Sequence, residues 1–429
     1  MIPMLFAALA FAVPVPRPVQ SWVEMAPGGS VVRILTEAET CPVIRVDGRN
    51  RRAVLRAAPA SLPQRSNKAH VDGPTGFASR VCELPLPRWA RRASLGGRPL
   101  PLPRPRLDRI VLIGDTGCRI KAADDAAQDC NQPTAWPFAA IAARAARMRP
   151  DLVLHVGDYL YRENACPPDR QGCAGTPWGY GEAGWRADFL DPAAPLLNAA
   201  PWIMVRGNHE ECARAGQGWW RLLDPHPLQP GADCAGAGDD MAGNHTDPYA
   251  VNLGQQAQVI VADLMQLASG KPGDPLVSAQ FDRDMARIAM LSRGAKVSFA
   301  TAHFPFNPVV WQDKPHTAVA IGAKPVTAYA LPPLPHVRAM LAGHIHMFQL
   351  ARFADRPTQV IAGFSGTLED DAPAPAGLAD IAGKPGAAAL QALTTITGRF
   401  GFALIERHGQ AWDMTVFAAD GAVMRRFAI

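Results

Sequence analysis

Short apolar runs that end in polar residues recur through the central part of the chain. Each run is followed directly by a short polar motif, and the runs lie at 109–113, 152–156, 202–205, 296–301 and 337–341. Runs this short and this apolar are typical of strands buried on both faces, which requires helices packed on the sheet. The Ala-rich segment 137–148 is a predicted helix between the first two runs. The pattern therefore predicts an α/β fold.

The two ends of the chain show a different pattern. Short extended segments separated by Gly, Pro and Asn predict a small N-terminal β domain at residues 19–97. The Pro-rich stretch 98–106 favours neither a helix nor a ladder, so we predict a stiff linker there. A larger domain is predicted at 107–429, and its segment 400–429 alternates as hairpin strands that we expect to complete one of its sheets.

The extreme N-terminus is apolar and rich in Ala, Leu and Phe, and this stretch ends at Val13-Pro14-Val15-Pro16. The pattern is typical of a secretory signal peptide, which we place at residues 1–18. The apolar stretch is too short to span a bilayer, so no transmembrane segment is predicted. Because no Lys or Arg precedes the apolar stretch, a frayed N-terminus without a targeting role is the alternative.

Composition and charge narrow the class of protein. With 429 residues, 48% of them hydrophobic and 19% charged, the chain is long enough and apolar enough for a large folded domain and an accessory one. The net charge of +5 is mildly basic, and Arg is dispersed along the sequence, so no nucleic-acid-binding signature is predicted. The sequence leaves the oligomeric state open.

The eight Cys residues fall naturally into sequential pairs, although sequence alone leaves their connectivity open. No pair has the Cys-x-x-Cys spacing of a zinc knuckle, which favours structural disulfides over metal ligation. Disulfides indicate an oxidising compartment, so we expect a secreted or periplasmic protein. The simplest hypothesis pairs Cys41 with Cys82, Cys118 with Cys130, Cys166 with Cys173, and Cys212 with Cys234.

Polar motifs follow the apolar runs where each predicted strand ends, and the carboxyl ends of buried strands converge on one rim of an α/β sheet. In chain order the motifs are Asp115-Thr116-Gly117, Gly157-Asp158, Gly207-Asn208-His209-Glu210, His303, and Gly343-His344-Ile345-His346. Each motif alone is a weak signal. In this order they resemble the calcineurin-like metallophosphoesterase family, over roughly residues 107–366, and the N-terminal region is left unexplained.

The resemblance implies a four-layer α/β/β/α fold, in which a β-sandwich is flanked by helices, preceded here by the small β domain. It also implies a site for two metal ions, and a mixed set of oxygen and imidazole ligands suits Fe, Zn, Mn or Co. The residue-by-residue match assigns Asp158 as the bridge, Asp115 and His346 as ligands of one metal, and Asn208, His303 and His344 as ligands of the other.

Within the family, Gly157-Asp158-Tyr159-Leu160-Tyr161 is similar to the Gly-Asp-x-x-Tyr motif of purple acid phosphatases, whose Tyr binds ferric iron. Tyr161 is therefore the candidate iron ligand, and the expected metals are Fe(III) with divalent Fe, Zn or Mn. A free phenol has a pKa near 10, and a hard trivalent cation would hold it as phenolate. A Tyr that packs or hydrogen-bonds beside the site is the alternative.

His209 follows Asn208, and the resemblance places both near the substrate. An imidazole there could orient phosphate or protonate the leaving oxygen, although a His that only packs beside the ligand is the alternative. Glu210 is expected to support a ligating His. His316 is a further candidate for substrate contact, but its spacing matches the family poorly, and a surface-loop His is the alternative.

The resemblance implies a phosphoester hydrolase, and the first hypothesis is an acid phosphatase-like phosphomonoesterase in which a metal-bound hydroxide attacks phosphorus in line. A phosphodiesterase or nucleotidase with the same site is an alternative, because the metals do not determine which substrates the loops admit. A non-catalytic, secreted metal-binding protein on the same scaffold is a second alternative. All ligand positions are filled in this sequence, which argues against it.

Overall fold

A computed structural model describes residues 19–63, 65, 75–236, 238, 240–271, 273–311, 319–322, 324–329, 331–371 and 387–429. The predicted signal peptide and His316 lie outside the described residues. Every helix within the described ranges is too short or too polar to cross a bilayer.

Within residues 19–63, 65 and 75–100 the chain forms short strands. They are β1 (Gln20–Ala26), β2 (Gly29–Thr36), β3 (Val43–Val46), β4 (Arg49–Arg52), β5 (Val54–Ala57), β6 (Ala60–Ser61), β7 (Gly76–Phe77), β8 (Arg80–Leu86), β9 (Ala93–Leu95) and β10 (Arg98–Pro99). Strand β10 lies inside the segment predicted as a linker and pairs with β9.

Strands and helices then alternate. The elements are β11 (Arg109–Ile113), β12 (Ile120–Lys121), β13 (Ala126–Ala127), α1 (Phe138–Arg147), β14 (Leu152–His155), α2 (Glu182–Trp185), α3 (Ala194–Leu197), β15 (Trp202–Met204), α4 (Gly216–Leu222) and α5 (Asp240–Gly243). A π-helical turn at Arg186–Leu190 continues α2. Buried residues of α1 recur with helical spacing, at Phe138, Ile141, Ala142 and Ala145, so one face of this helix packs on the sheet.

The remaining elements build a second sheet and complete the first. They are β16 (Tyr249–Gly254), β17 (Ala257–Val261), α6 (Gln266–Ser269), α7 (Pro275–Ser292), β18 (Val297–Thr301), β19 (Val309–Trp311), β20 (Val319–Ile321), β21 (Val337–Ala342), β22 (Phe348–Phe353), β23 (Thr358–Ala362), β24 (Leu390–Ile396), β25 (Gly401–His408), β26 (Ala411–Ala418) and β27 (Val423–Ala428). Helix α7 begins with Pro275 after Asp274, whose carboxylate accepts the Leu276 N–H at 2.8 Å.

Two large sheets form the centre of the molecule. The first has ten strands in the order β27-β26-β25-β11-β14-β15-β1-β2-β8-β5, and the second has seven in the order β16-β17-β18-β21-β23-β22-β24. Strands β11, β14 and β15 are parallel, and β25 pairs antiparallel with β11. The C-terminal hairpin strands therefore complete the first sheet, as predicted.

Side-chain alternation along the strands separates four layers. In β11, Ile110 and Leu112 face the second sheet in the core between the sheets, whereas Val111 and Ile113 face α1 and α3. On the far side, Phe281 of α7 packs with residues from the outer face of the second sheet. Helices thus cover the outer face of each sheet, and the predicted α/β/β/α fold is confirmed.

The N-terminal strands are continuous with the first sheet. Strand β1 pairs antiparallel with β2 over seven residues and lies parallel to β15 at Glu24 and Trp202. A separate sheet, β10-β9-β3-β4, packs on the opposite face of these strands through Ile44, Val46 and Leu95. The domain boundary near residue 107 stays a prediction, but strands from both sides of it share one sheet.

Two buried arginines attach the N-terminal strands to the end of α4. The Arg33 guanidinium pairs with Glu24 at 3.0 Å and donates to the Asp224 carbonyl at 2.9 Å, and the side chains of this ion pair are fully buried. Arg56 donates to the Trp220 carbonyl at 2.6 Å. The last carbonyls of a helix lack intrahelical partners, so these cations satisfy and stabilise the carboxyl end of α4.

Every Cys residue is in a disulfide, and the four predicted sequential pairs are confirmed. The bonds join Cys41 to Cys82, Cys118 to Cys130, Cys166 to Cys173, and Cys212 to Cys234. Such bonds persist in oxidising compartments.

We expect Arg33→Met to lower the free energy of unfolding by about 3–5 kcal/mol, because the Glu24 carboxylate would stay buried without its cation. The measurement is urea denaturation followed by circular dichroism. The matched control is Arg49→Met on β4, where the side chain is exposed. If both variants unfold at the urea midpoint of the wild type, Arg33 does not stabilise this junction.

Candidate metal centre

The predicted ligands lie in loops at the carboxyl ends of parallel strands from both large sheets. These strands end at neighbouring points of one rim, which brings residues far apart in sequence together. Asp115 follows β11, Asp158 follows β14, Asn208 follows β15, His303 follows β18, and His344 and His346 follow β21.

The backbone at three of these residues is left-handed, which is uncommon for residues other than glycine. The φ angles are 55° at Asp115, 58° at Asp158 and 71° at His344. Close packing around them requires glycine: a Cβ on Gly207 would lie 2.1 Å from Asp158 Oδ1, and one on Gly157 would lie 2.5 Å from His303 Nδ1. The glycines of the motifs thus allow the loops to approach one another.

The Tyr161 hydroxyl lies at the centre of one group of ligands. Its oxygen is 3.0 Å from Asp115 Oδ1, 2.8 Å from Asp158 Oδ2 and 3.0 Å from His346 Nε2. A phenol has one proton and can donate it to only one of these atoms. The remaining lone pairs converge on the same small volume.

The Asn208 amide oxygen lies at the centre of the second group. It is 3.0 Å from His303 Nε2 and 2.9 Å from His344 Nδ1. Asp158 Oδ2, which contacts Tyr161, is also 3.2 Å from His303 Nε2. The two groups therefore share one carboxylate oxygen of Asp158.

Contacts outside the centre hold His303 and His346. The His303 Nδ1–H donates to the Val156 carbonyl at 2.8 Å, which leaves Nε2 to face Asp158 and Asn208. The backbone N–H of His346 donates to Asp370 Oδ2 at 2.9 Å, and the ring Nδ1 of His346 lies 3.4 Å from an Arg119 guanidinium nitrogen and 3.6 Å from Asp370 Oδ2. Carboxylates and carbonyls in such positions commonly orient metal-binding histidines.

Burial and neighbouring charges shift the pKa values of the acidic groups in this centre. Burial raises the pKa of Asp115 to about 6, although the nearby His303 and His346 oppose this shift. Burial acts in the same direction on Asp158, but His303 and His209 hold its pKa well below the usual range. Burial and the two carboxylates raise the pKa of Tyr161 well above that of a free phenol. A bound cation would make the close approach of these acidic oxygens favourable.

The donor set fits a metal site. Ligand atoms of Asp115, Asp158 and His303 all lie within 4.8 Å of one another, and all three residues are buried. The donors are carboxylate, amide and phenol oxygens with imidazole nitrogens, and every Cys is in a disulfide, so thiolate is absent. Such a set suits Fe, Zn, Mn or Co.

His209 borders the centre and is held by a carboxylate that the sequence analysis missed. Its Nδ1 is 3.0 Å from Glu163 Oε1, and its Nε2 lies 3.9 Å from Asp158 Oδ2. Burial, together with Arg214, lowers the pKa of His209 to about 4, although Asp158 and Glu163 oppose this. Glu163 also accepts from the Tyr180 hydroxyl at 2.6 Å and pairs with Arg214. The ring is thereby fixed with Nε2 toward Asp158.

Glu210 accepts hydrogen bonds from the backbone. It was expected to support a ligating His, and the structure shows a different role. Its carboxylate accepts the N–H groups of Gly207 at 3.1 Å, Asp158 at 3.1 Å, Tyr159 at 2.9 Å and Leu160 at 3.2 Å. Asp188, on the π-helical turn, similarly accepts the N–H groups of Cys118 at 3.0 Å and Tyr161 at 2.7 Å. Neither role has a sequence signature, because backbone donors do not depend on residue type.

The structure brings together all the predicted ligands, with Tyr161 and His209 beside them. His316 remains outside the described residues, so its predicted contact with substrate stays a prediction.

Comparison with known proteins agrees with this geometry. Residues 108–348, more than half of the chain, match the family model described as calcineurin-like phosphoesterase. The matched segment contains every predicted metal ligand. No curated protein sequence matches the chain.

Two solved structures with low sequence identity are similar to this chain. A purple acid phosphatase from seeds of yellow lupin (Lupinus luteus) is similar with a TM-score of 0.60 and 13% identity, over 95% of this chain and 73% of that one. A dimetal phosphatase from Danio rerio aligns with a TM-score of 0.40 and 13% identity, over 76% of this chain and 99% of that one. At this identity the lupin structure shows the fold alone.

Glu210→Gln should lower the free energy of unfolding by about 2 kcal/mol and reduce the metal retained after purification. The amide accepts through one oxygen only, so some of the four backbone N–H groups would be left buried without a partner. Urea denaturation and elemental analysis of the metal measure the two effects. Glu39→Gln, at an exposed position, is the control. Unchanged stability and metal content in Glu210→Gln would contradict this role.

Proposed function

The chain belongs to the calcineurin-like phosphoesterase family, and on this basis we propose that it is a phosphomonoesterase that uses two metal ions. The observation that carries the proposal is the position of Asp158 Oδ2, which lies 2.8 Å from the Tyr161 hydroxyl and 3.2 Å from His303 Nε2. One carboxylate oxygen placed between two groups of ligands is what a bridge between two cations requires.

Two groups of ligands meet at Asp158, and each group would hold one of the two ions. Asp115, Tyr161 and His346 would hold one ion, and Asn208, His303 and His344 would hold the other. Two bound ions would neutralise phosphoryl oxygens and lower the pKa of water for attack on phosphorus. The proposed pair is Fe(III) with divalent Fe, Zn or Mn, because a phenol ligand favours a hard trivalent cation.

His209 is the proposed catalytic side chain outside the metal ligands. Glu163 holds Nδ1, so Nε2 faces the site, and because the pKa of His209 is about 4, the ring would be protonated and donate to the leaving oxygen at acidic pH. The ring also lies against Tyr161, tilted by 37° and with the ring centroids 3.8 Å apart, which restricts its rotation. Asn208 and His209 are therefore the proposed substrate contacts among the described residues.

The alternatives differ in substrate and in chemistry. A phosphodiesterase or nucleotidase would use the same ligands with different loops around them. A non-catalytic metal-binding protein would keep the ligands and need no fixed His209.

We place the protein outside the cytoplasm, secreted or periplasmic, because its four disulfides are stable in an oxidising compartment.

The test compares hydrolysis of an aryl phosphate monoester and the matching diester by the mature protein supplied with iron and zinc, from acidic to alkaline pH. We expect preference for the monoester. Asp158→Asn should lower kcat by at least about a thousandfold and reduce bound metal, since the bridging oxygen would lose its charge. Asp282→Asn on the exposed face of α7 should behave as the wild type.

Each other result assigns a different function. Preference for the diester would establish the phosphodiesterase alternative, with the ligands unchanged. No turnover of either ester by a metal-loaded protein would favour the binding protein. Wild-type turnover by Asp158→Asn would overturn the assignment of the bridge.

A second test concerns Tyr161. Iron-loaded protein should show a visible absorption band from phenolate-to-iron charge transfer, and Tyr161→Phe should abolish it. Tyr159→Phe is the matched control, because the Tyr159 hydroxyl donates to the Val205 carbonyl at 3.0 Å, away from the ligands. A colourless wild type with a full complement of iron, or an unchanged band in Tyr161→Phe, would remove Tyr161 from the ligand set.

A further inference from the structure

Positive charge is concentrated in one part of the chain. Residues 41–106 contain 13 Arg and one Lys against three acidic residues, a formal net charge of +11, whereas the whole chain carries +5. The rest of the chain is therefore net −6. These arginines are dispersed along the sequence and form no continuous basic run. The fold nevertheless brings many of them together on the sheet β10-β9-β3-β4 and the loop 87–92.

Several of these arginines line a groove of about 1560 Å³. One wall is the sheet β10-β9-β3-β4 with the loop 87–92, and its floor includes the Pro-rich segment 99–105. The other wall consists of residues that precede β14 and β15, together with part of β16. The groove therefore lies at the amino ends of the central parallel strands.

The acidic residues of the groove are already engaged. Asp47 accepts the backbone N–H groups of Arg91 at 3.1 Å and Arg92 at 2.8 Å, so it fixes the loop, and it forms no ion pair with a guanidinium group of the described residues. Asp151 pairs with Arg104 at 3.0 Å and accepts the Arg109 N–H at 3.1 Å.

Three guanidinium groups are left for an external anion. The side chains of Arg45, Arg91 and Arg92 are exposed, and they make no hydrogen bond or ion pair within the part of the chain that the structure describes. Guanidinium pairs with carboxylate through two parallel hydrogen bonds. The charge of the groove thus complements a chain of carboxylates.

Trp89 adds a flat apolar surface to the rim of the groove. Its side chain is 59% exposed, and the Arg51 guanidinium lies 5.8 Å from its ring centroid, which holds the ring from one side. It is the one aromatic residue among the described residues that line the groove. A single exposed indole suits the apolar face of a sugar ring, whereas binding of single-stranded nucleic acid uses several stacked aromatic residues.

We propose that this groove binds an acidic polysaccharide, with a sugar ring on Trp89 and uronate carboxylates on Arg45, Arg91 and Arg92. A concave surface favours an extended chain over a flat bilayer. The groove is separate from the metal centre: Asp151 precedes β14 and Asp158 follows it, which places them roughly 20 Å apart along an extended strand. Binding there would localise the protein on a polymer and leave the metal centre open.

The experiment measures binding of the full-length protein to polygalacturonate, with neutral galactan as the uncharged probe. We expect binding of polygalacturonate alone, weakening as salt is raised. R91A/R92A should raise Kd by at least about tenfold, and W89A should raise it by about fivefold. The matched control R147A/R293A removes the same charge from exposed sites elsewhere and should change Kd by less than about twofold. Hydrolysis of a soluble aryl phosphate should be unchanged in all variants, so this test is independent of the proposed enzymatic function.

Four outcomes would overturn the proposal. The first is no binding of polygalacturonate, and the second is equal binding of galactan. The third is equal weakening of binding by R147A/R293A, which would show that only net charge matters. The fourth is tighter binding of a single-stranded oligonucleotide, or of phosphatidylglycerol vesicles, that R91A/R92A abolishes, which would assign the groove to that class of ligand.

Discussion

The architecture of the metal centre depends on the position of one carboxylate oxygen, Asp158 Oδ2. It lies within 3.2 Å of both the Tyr161 hydroxyl and His303 Nε2, in a buried environment where unpaired charge is costly. Asp115, also buried, contacts the same phenol. No packing argument explains why a chain would place two buried carboxylates around one hydroxyl group. The two proposed metal ions would account for this arrangement, and the proposed chemistry follows from it.

Much of the surrounding structure serves to hold the loops that carry these ligands. Glu210 and Asp188 accept hydrogen bonds from backbone N–H groups of the loops after β11, β14 and β15. The carboxyl end of α4, the helix that follows the Asn208 loop, is bonded to Arg33 and Arg56 of the N-terminal strands. The N-terminal region is therefore joined to the segment that presents Asn208 and His209, and also provides the arginine-lined groove on its other side.

The sequence predicted the layers and which residues meet at the rim, because both depend on patterns that a sequence records directly; the binding of metal by these residues stays a prediction. Apolar runs of strand length predict buried strands, and the motif residues directly after them must meet at the rim. The sequence did not predict contacts in which a side chain bonds to a backbone group or to a residue distant in sequence. Glu210 bonds to amides that any residue would supply, and the Glu163 contact with His209 depends on how a loop folds. The pairing of β1 with β15 could not be predicted either, because tertiary packing determines the strand order.

The strand order of the first sheet also determines when it can form during synthesis. Strand β1 can pair with β2 at once but lacks its other neighbour until β15 is made, and β11 lacks its antiparallel neighbour until β25 is made. The disulfides, in contrast, join residues 41, 12, 7 and 22 positions apart. Because long-range strand pairing is slow while short loops close readily, local cross-links can form as the chain emerges. The candidate metal centre, whose proposed ligands extend from Asp115 to His346, can then be assembled only after the chain up to His346 is available.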